Sequence, residues 1–442
     1  MRSNKPSSVG LADNPFAVLD ISIESSREDI ASAFDDRLAD GDVGGEALQN
    51  ARDNVLKPNS RLLAALSFLP DAHDETRRAT LTTLRRGGSY SDLLALSNDL
   101  PPLSRANLIA EIGAIRPSEG IIRSFVAAQS AIDVSALSQL LSAAHQHAGV
   151  PNPASGVISD ALESVMANNA KRLVSGYERT EDAATDIVQC LEQDLPGADS
   201  TVIRSYTNLL NAYFDVASAS MMSLRRQVEH VAEKIRSGEN DPVTINELEK
   251  SLKKWDYLAQ PQQLMALHKG RDEEQSRDLF EFLRGLLLDL VKKQDDASAA
   301  LAISKICMDV FAELPRTTRQ LQEDIAVLDR FVAEGGAKKL LYFVEEARKN
   351  FDPLVHSLDS QGFSPSSSGI AGHLYNIFED SVAVTRGTPA AELPWLLVRG
   401  LALDINNDLG EVKASEALIK GLSTTVGAPG DRQGVDGGSP LR

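Results

Sequence analysis

The sequence predicts an all-α fold, and three observations favour that prediction. Aromatic residues make up only 5% of the 442 residues, while alanine, leucine and serine are abundant, which favours packed helices over β-sandwiches. Apolar residues recur at helical spacing in one block after another along the chain. Glycine and proline separate these blocks, as expected of turns between helices.

The first predicted unit covers residues 13–70 and follows a polar segment, residues 1–12, that we expect to be a disordered tail. Asn14 suits an N-cap position, and Pro15 suits the first helical position because its missing N–H would be unpaired there. A short extended connection leads to a capping-box pattern formed by Ser25 and Glu28, which predicts the start of a second helix.

Glycines at positions 41, 44 and 45 end that second helix. A third helix is predicted from about Glu46 to Leu56, and Pro58 stops it. A short apolar helix then runs to Pro70. The predicted core of this unit consists of Phe16, Leu19, Phe34, Leu62 and Phe68.

The order of these elements, from Asn14-Pro-Phe-Ala-Val-Leu-Asp to the segment Leu56–Leu62, resembles a J-domain. It resembles more narrowly the divergent J-domain-like modules of large bacterial proteins. In ordinary J-domains a His-Pro-Asp tripeptide lies between the two long helices and drives ATP hydrolysis by a heat-shock chaperone. Here the loop Asp40–Gly45 contains neither His nor Pro, and the preceding helix is acidic where the family has a basic face. The resemblance implies a J-like fold whose loop residues Asp40 and Asp42 are candidates for binding a partner.

Composition excludes several function classes. The net charge of −18 argues against binding to nucleic acid and to anionic membrane surfaces, since both need clustered Lys and Arg. No apolar run is long enough to span a bilayer, and the polar N-terminus shows no secretory signal. Cys190 and Cys307 lie far apart in apolar surroundings, which predicts buried thiols and a cytoplasmic location.

The remaining chain is predicted to be helix after helix, with breaks at Ser237–Pro242 and at the pair Gly335-Gly336. A Ser- and Gly-rich stretch reads as a flexible linker by composition. The predicted parts are a helical array (75–236), a helical repeat block (243–356), the linker (357–369), a C-terminal helical hairpin (370–422) and a disordered tail (423–442).

One internal repeat stands out: the segment from Arg284 to Asp289 matches the segment from Arg399 to Asp404 at a constant offset of 115 residues. Each copy reads as an apolar helix, a polar turn and a second helix that begins with small residues. This pattern resembles a tetratricopeptide-type hairpin, and stacked hairpins of that type form an α-solenoid. The stretch from Trp255 onward also resembles the helical region attached to J-domain-like modules in bacterial proteins.

The sequence offers no convincing catalytic or metal-binding pattern. His145 and His147 point in diverging directions on a helix, so we interpret them as an exposed helix end rather than a metal site. Nucleotide-binding, hydrolase and metalloprotease motifs are absent from the sequence. Trp395 is interpreted as a core residue of the last hairpin, with anchoring of a partner as the alternative. We therefore expect no enzyme activity, no cofactor and no metal.

The predicted function is a non-enzymatic protein-interaction scaffold, or a co-chaperone-like adaptor, whose partner is a protein such as a heat-shock chaperone. Two alternatives stay open. One is an active J-domain co-chaperone that stimulates the chaperone ATPase, and the other is a helical enzyme with an unrecognised site. The candidate partner-binding residues are Asp40, Asp42, Arg284, Asp289, Trp395, Arg399 and Asp404.

Overall fold

The computed structural model describes residues 10–294, 296–386 and 390–424, and every regular element in these ranges is helical. The prediction of an all-α fold is therefore confirmed for these residues. The predicted tails fall largely outside them, at residues 1–9 and 425–442. None of the described helices combines the length and the apolar character that crossing a lipid bilayer requires.

A 3-10 helix at Leu11–Asp13 precedes twenty described α-helices. They are α1 (Pro15–Leu19), α2 (Arg27–Asp40), α3 (Gly45–Leu56), α4 (Pro58–Leu66), α5 (Asp74–Arg85), α6 (Tyr90–Ser97), α7 (Pro102–Ile115), α8 (Glu119–Ser130), α9 (Val134–His147), α10 (Ser155–Val174), α11 (Thr180–Asp194), α12 (Ser200–Arg236), α13 (Pro242–His268), α14 (Glu274–Gln294), α15 (Ala297–Val310), α16 (Pro315–Lys349), α17 (Asp352–Gln361), α18 (Gly369–Thr385), α19 (Leu393–Leu409) and α20 (Val412–Thr424).

The helices form two compact units. Unit 1 contains the residues up to Glu229 together with Lys250–Ser276, and unit 2 contains His230–Glu249 together with the residues from Arg277 onward. Each unit has its own set of buried apolar side chains.

The N-terminal segment of unit 1, residues 11–69, folds around two stacked phenylalanine rings. The Asn14 side chain caps α1 by accepting a hydrogen bond from the Phe16 amide at 3.0 Å. Phe16 and Phe68 are fully buried, with ring centroids 5.8 Å apart. Leu19 and Leu62, also predicted as core residues, are buried with them.

The fifth predicted core residue, Phe34, is only half-buried. The Arg52 guanidinium carbon lies 4.6 Å from the centroid of its ring and covers part of it. Ile30 is the one residue of α2 that is fully buried, because α2 packs on α1 and α3 along a narrow edge. The prediction of Phe34 in the core is therefore wrong.

A buried arginine holds the connection between α1 and α2 in place. Arg61 is 1% exposed, and its Nη2 donates to the carbonyls of Ile23 and Ser25 at 2.7 Å and 3.1 Å. Its Nη1 donates to the Val55 carbonyl at 3.1 Å, at the end of α3. The guanidinium also lies over the Phe16 ring, 5.4 Å from its centroid. Burial lowers the pKa of Arg61 to about 10, so the group stays charged at neutral pH.

Side chains of the later helices fasten the N-terminal segment to the rest of unit 1. Asn107 of α7 donates through Nδ2 to the carbonyls of Leu66 and Phe68, at 2.8 Å and 2.7 Å. Its own Oδ1 accepts a hydrogen bond from Asn169 of α10 at 2.6 Å. All these groups are buried, so the three elements share one polar network inside the core.

Further contacts reach the same segment from other helices. Arg85 of α5 donates to the Ala17 carbonyl at 2.6 Å, and the α4 helix packs against α9 and α10. Ser104 of α7 donates to the Pro70 carbonyl at 2.5 Å. The predicted J-like unit of residues 13–70 thus shares its core with the first part of the predicted array.

Two glycines allow a close approach within unit 1. A Cβ atom on Gly176, just after α10, would lie 2.2 Å from the Gly113 carbonyl oxygen of α7. A Cβ atom on Gly113 would lie 2.8 Å from Leu173 Cγ. The contact between α7 and the end of α10 therefore requires residues without side chains at both positions.

Unit 2 contains the two copies of the internal repeat as helical hairpins. The first helix of each copy ends at Gln294 and Leu409, and the second begins at Ala297 and Val412, which keeps the offset of 115 residues. The buried positions match between the copies as well. The matching buried pairs are Phe280 and Trp395, Leu283 and Val398, Leu286 and Leu401, Leu290 and Ile405, Ala299 and Ala414, Ile303 and Leu418, and Cys307 and Leu422.

The helix α16 connects the two copies. It packs on α15 of the first hairpin, on α19 of the second, and on α18, which precedes the second hairpin. The prediction of a break at Gly335-Gly336 is wrong, because α16 runs through this pair as one helix of 35 residues. Burial of Leu340 and Val344, which follow the glycines, outweighs their poor helix propensity.

The predicted flexible linker at residues 357–369 is also different in the structure. Ser357 to Gln361 continue α17, and Phe363 is 3% exposed. The Phe363 ring contacts those of Tyr375 and Phe378, at centroid distances of 5.1 Å and 5.7 Å. The serines suggested flexibility, but one buried ring fixes this stretch in the core.

Two local predictions near the N-terminus need correction. The cap of α2 is Ser26 rather than Ser25, and its capping-box partner is Asp29 rather than Glu28. Ser25 instead accepts a hydrogen bond from the Ser22 amide at 3.2 Å and closes the preceding turn. Leu11, within the predicted tail 1–12, is 1% exposed, because its short helix packs on α1, α5 and α7.

Candidate protein interface

The loop between α2 and α3 is the most accessible part of the N-terminal segment. Asp40 ends α2, Gly41 adopts a φ of +69° that stops the helix, and Asp42 follows in the loop. Both aspartates are exposed. The structure therefore places the two predicted loop carboxylates at the surface, where a partner could reach them.

The α2 helix extends this acidic surface. Its exposed side chains include five carboxylates, and Leu38 is 51% exposed among them. Ser26 donates hydrogen bonds from its amide and its hydroxyl to Asp29, which lowers the pKa of that carboxyl group. We define the α2 surface as the exposed carboxylates Glu28, Asp29, Asp35, Asp36, Asp40 and Asp42 together with Leu38.

The arginines and aspartates of the repeat do not pair with each other inside one copy. Arg284 of α14 forms an ion pair with Asp324 of α16, with Nε 2.8 Å from Oδ2 and Nη2 3.3 Å from Oδ1. This hydrogen bond raises the pKa of the Arg284 guanidinium. Asp289 contacts Lys293 at 2.7 Å and Arg236 at 2.9 Å, which keeps its carboxyl pKa low.

The second copy keeps one of these two interactions. Asp404 forms an ion pair with Arg348 in the last turn of α16, as Asp289 does with Arg236 in the last turn of α12. Arg399 is exposed on α19. The predicted residues of the repeat thus act mainly in contacts between helices, and Arg399 is the member that faces solvent.

Trp395 lies in the core rather than at the surface. It is 8% exposed, and its ring meets Phe378 edge to face with centroids 5.0 Å apart. The interpretation of Trp395 as a core residue agrees with this geometry. Its assignment as a partner-binding residue does not, because the ring is already covered by this chain.

The histidine interpretation is wrong for one residue of the pair. His145 is 1% exposed, with Nδ1 2.9 Å from the Leu141 carbonyl and Nε2 3.4 Å from the Pro58 carbonyl. His147 is exposed, as predicted. A buried histidine next to α4 gives the N-terminal segment another contact with α9. In the described parts of the chain, no group of three or more His, Cys, Asp or Glu residues could hold a metal ion.

The prediction of buried thiols is confirmed. Cys190 and Cys307 are both fully buried. Burial raises the pKa of each thiol to about 12, which keeps it protonated and unreactive at neutral pH.

A cavity of about 230 Å³ lies in unit 1 beside the C-terminal part of α13. Lys269 and Arg271 contribute cationic groups to its wall, and Asp272, Glu273 and Glu274 contribute carboxylates. Burial and the nearby Arg271 lower the pKa of Lys269. Two cationic and three anionic side chains thus lie together at this cavity.

Three residues of the interhelical pairs could not be named from the repeat alone. They are Arg236, Asp324 and Arg348, which lie outside the matching segments. The signal in the sequence is indirect: the two arginines occupy the last turns of α12 and α16, 53 and 56 residues before the repeat aspartates.

We compared the chain with protein-family models, with curated proteins and with solved structures, and none of the three comparisons gave a match.

Proposed function

We propose that this chain is a non-enzymatic protein-interaction scaffold, a co-chaperone-like adaptor whose degenerate J-like unit docks on a partner protein. The observation that carries the proposal is the α2 surface. Of the 14 residues of α2 only Ile30 is fully buried, while the other helices of the same segment are packed into unit 1. A helix that packs on α1 and α3 with one edge and exposes an acidic face is suited to recognition of a basic protein surface.

The anchoring of the segment supports an adaptor role. Asn107, Arg61 and Arg85 tie the backbone on both sides of α2 to the surrounding helices. The α2 surface is therefore presented in one fixed orientation, and a partner would bind without an ordering penalty in the scaffold.

Point variants test the proposal better than a deletion. Removal of residues 1–70 would leave Asn107 without its carbonyl acceptors and would uncover the apolar faces of α7 and α10. We would therefore use the full chain with Asp40→Lys and Asp42→Lys as bait in a pull-down from its own cells. The matched control, Asp160→Lys with Glu163→Lys, makes the same charge change at exposed positions of α10.

We expect the wild-type and control baits to recover the same partner and the loop variant to lose it. Equal recovery by all three baits would overturn the proposed role of the α2 surface. The active co-chaperone remains the alternative, and it has a separate readout. Stimulation of a purified heat-shock ATPase by the wild-type chain, abolished in the loop variant, would replace the adaptor proposal with that alternative.

A loop exchange gives a second comparison. Replacement of Asp40-Gly41-Asp42 by His-Pro-Asp restores the tripeptide of ordinary J-domains. If the adaptor proposal is correct, ATPase stimulation is absent from the wild-type chain and is gained by the exchanged one. Equal stimulation by both chains would contradict the interpretation that the native loop does not stimulate the ATPase.

A further inference from the structure

The two hairpins of unit 2 differ in what covers them. On the first hairpin α16 is fixed by two ion pairs. Arg284 of α14 pairs with Asp324 at 2.8 Å, and Lys305 of α15 pairs with Asp329 at 3.7 Å. Ser304, next to Lys305, is fully buried. The face of the first hairpin that carries Arg284 and Lys305 is thus occupied by α16, which meets it with Asp324 and Asp329.

The second hairpin keeps the basic residues of that face, and within the described part of the chain these residues are exposed. The positions equivalent to Arg284 and Lys305 are Arg399 and Lys420, and both side chains are exposed. The position equivalent to Ser304 is Ile419, which is 43% exposed. Two exposed cations at the equivalent positions, with a large exposed apolar side chain next to one of them in the sequence, indicate a binding face.

We propose that the α19–α20 hairpin binds an amphipathic helix of a partner protein, placed on it as α16 is placed on the first hairpin. The helix would carry two carboxylates five residues apart, as Asp324 and Asp329 are, to meet Arg399 and Lys420. Apolar residues equivalent to Leu321 and Leu328 would flank the first carboxylate and cover Ile419. This mode of binding is helix-in-groove recognition. The apolar side chains would supply most of the affinity, and the charge pairs would fix the position of the partner helix along the hairpin.

Three facts favour a separate partner over the same chain. Leu321 of α16 is already fully buried where it lies, so α16 itself is not free to move to the second face. By sequence, residues 425–442 repeat the carboxylate spacing of α16 at Asp431 and Asp436, but Ala428 and Val435 stand in place of its two leucines. The segment also contains five glycines and two prolines. Both residue types disfavour helices, so this segment is a poor source of the required helix.

The inference deepens the proposed scaffold role and rests on it, but its test does not involve the α2 surface. The probe is a fluorescently labelled peptide with the sequence of residues 315–332, which contains both carboxylates and both leucines. Its binding to the purified full chain is followed by fluorescence anisotropy. The variants are Arg399→Glu, Lys420→Glu and Ile419→Asp, and the matched control is Lys292→Glu at an exposed position of α14.

We expect saturable binding that each of the three variants weakens by about tenfold or more and that the control leaves unchanged. A peptide with Asp324→Lys should bind poorly to the wild-type chain and regain affinity for Arg399→Glu. Recovery of affinity by this exchange of charges would indicate a direct contact between the two positions, because a misfolded Arg399→Glu chain would not regain binding. Absence of saturable binding, or binding that Arg399→Glu does not change, would overturn the proposal.

A second measurement tests whether a second copy of this chain, rather than a partner protein, binds to the α19–α20 hairpin. Self-association of the purified chain in sedimentation, abolished by Ile419→Asp, would overturn the proposal in favour of a second copy of this chain. Loss of the pull-down partner in the Asp40 and Asp42 variant, with peptide binding intact, would leave this inference standing. The two proposals can therefore fail separately.

Discussion

Arg348 holds the carboxylate of Asp404 with two nitrogens, Nε and Nη2, each 2.7 Å from Oδ2. Arg236 forms an ion pair with Asp289 in the other copy, with Nε 2.9 Å from Oδ2. In both cases the arginine lies in the last turn of a long helix, and the aspartate lies in the first helix of a repeat hairpin. An arginine at a helix end thus precedes the repeat aspartate by 53 residues in the first copy and by 56 residues in the second.

We predict that the two ion pairs differ in strength. The side chains of Arg236 and Asp289 are 28% and 24% exposed, and those of Arg348 and Asp404 are 44% and 35% exposed. Solvent screening should limit the coupling free energy of Arg348 and Asp404 to below about 1 kcal/mol. The coupling free energy of Arg236 and Asp289 should be larger. Alanine double-mutant cycles followed by urea unfolding give both couplings. A second coupling equal to or above the first would contradict the prediction.

Removal of Arg61 should destabilise unit 1 strongly. Arg61→Met keeps an apolar side chain but leaves the carbonyls of Ile23, Ser25 and Val55 without their donor. Unsatisfied buried groups of this kind cost on the order of 3 kcal/mol in total. Arg61→Lys should lie between wild type and Arg61→Met, because one ammonium group cannot match the spacing of the guanidinium. Equal stability of wild type and Arg61→Met in urea would refute this role.

A methyl group at Gly176 should separate α7 from the end of α10. The added Cβ would meet the Gly113 carbonyl oxygen at 2.2 Å, and that backbone atom has no rotamer to move away. We expect Gly176→Ala to lower the midpoint of thermal unfolding and the free energy of unfolding by at least about 2 kcal/mol. Gly156→Ala in α10 is the control, since nothing lies within 4 Å of its added Cβ. Similar midpoints for both variants would contradict the close approach.

Stability should fall as the pH rises above 10. Burial, and for Tyr206 the hydrogen bond to Asp194, raise the pKa of Tyr206 and Tyr213 above the ordinary value of about 10. The folded chain then keeps protons that the unfolded chain releases. The stabilisation is fully present below about pH 10, and each group removes about 1.4 kcal/mol per pH unit above it.

Urea unfolding at several pH values between about 9 and 11 measures this slope. Tyr213 donates to the Leu258 carbonyl at 2.9 Å, and Tyr213→Phe should make the slope shallower by the share of one group. Tyrosinate absorbance is an independent check. The buried Tyr206 and Tyr213 should titrate only on unfolding. A flat stability profile up to pH 11 would contradict the prediction.

The sequence predicted local features well where one short segment determines the structure. The cap at Asn14 and the repeat offset of 115 residues are found as expected, because side-chain chemistry and helix period act over a few residues. The shift of the α2 cap from Ser25 to Ser26 shows the limit of this approach. Two adjacent serines offer the same chemistry, and the preceding turn decides between them.

Features that depend on distant residues could not be predicted. The Gly335-Gly336 pair signals a break, but burial of Leu340 against other helices keeps α16 continuous. The pairing of Arg284 with Asp324 joins positions 40 residues apart, and no local pattern indicates which of many carboxylates is the partner. The prediction of an exposed His145 is wrong for the same reason, since its buried position depends on packing against α4.

The hydrogen bonds of Asn107 also bear on how the chain folds during synthesis. The carbonyls of Leu66 and Phe68 leave the ribosome well before Asn107, and Asn169 follows after a further 62 residues. The first helices would therefore remain incomplete until α10 has been translated. We expect the early segment to need either a slow search or the protection of a nascent-chain binding factor, and the order of synthesis to limit the rate at which unit 1 matures.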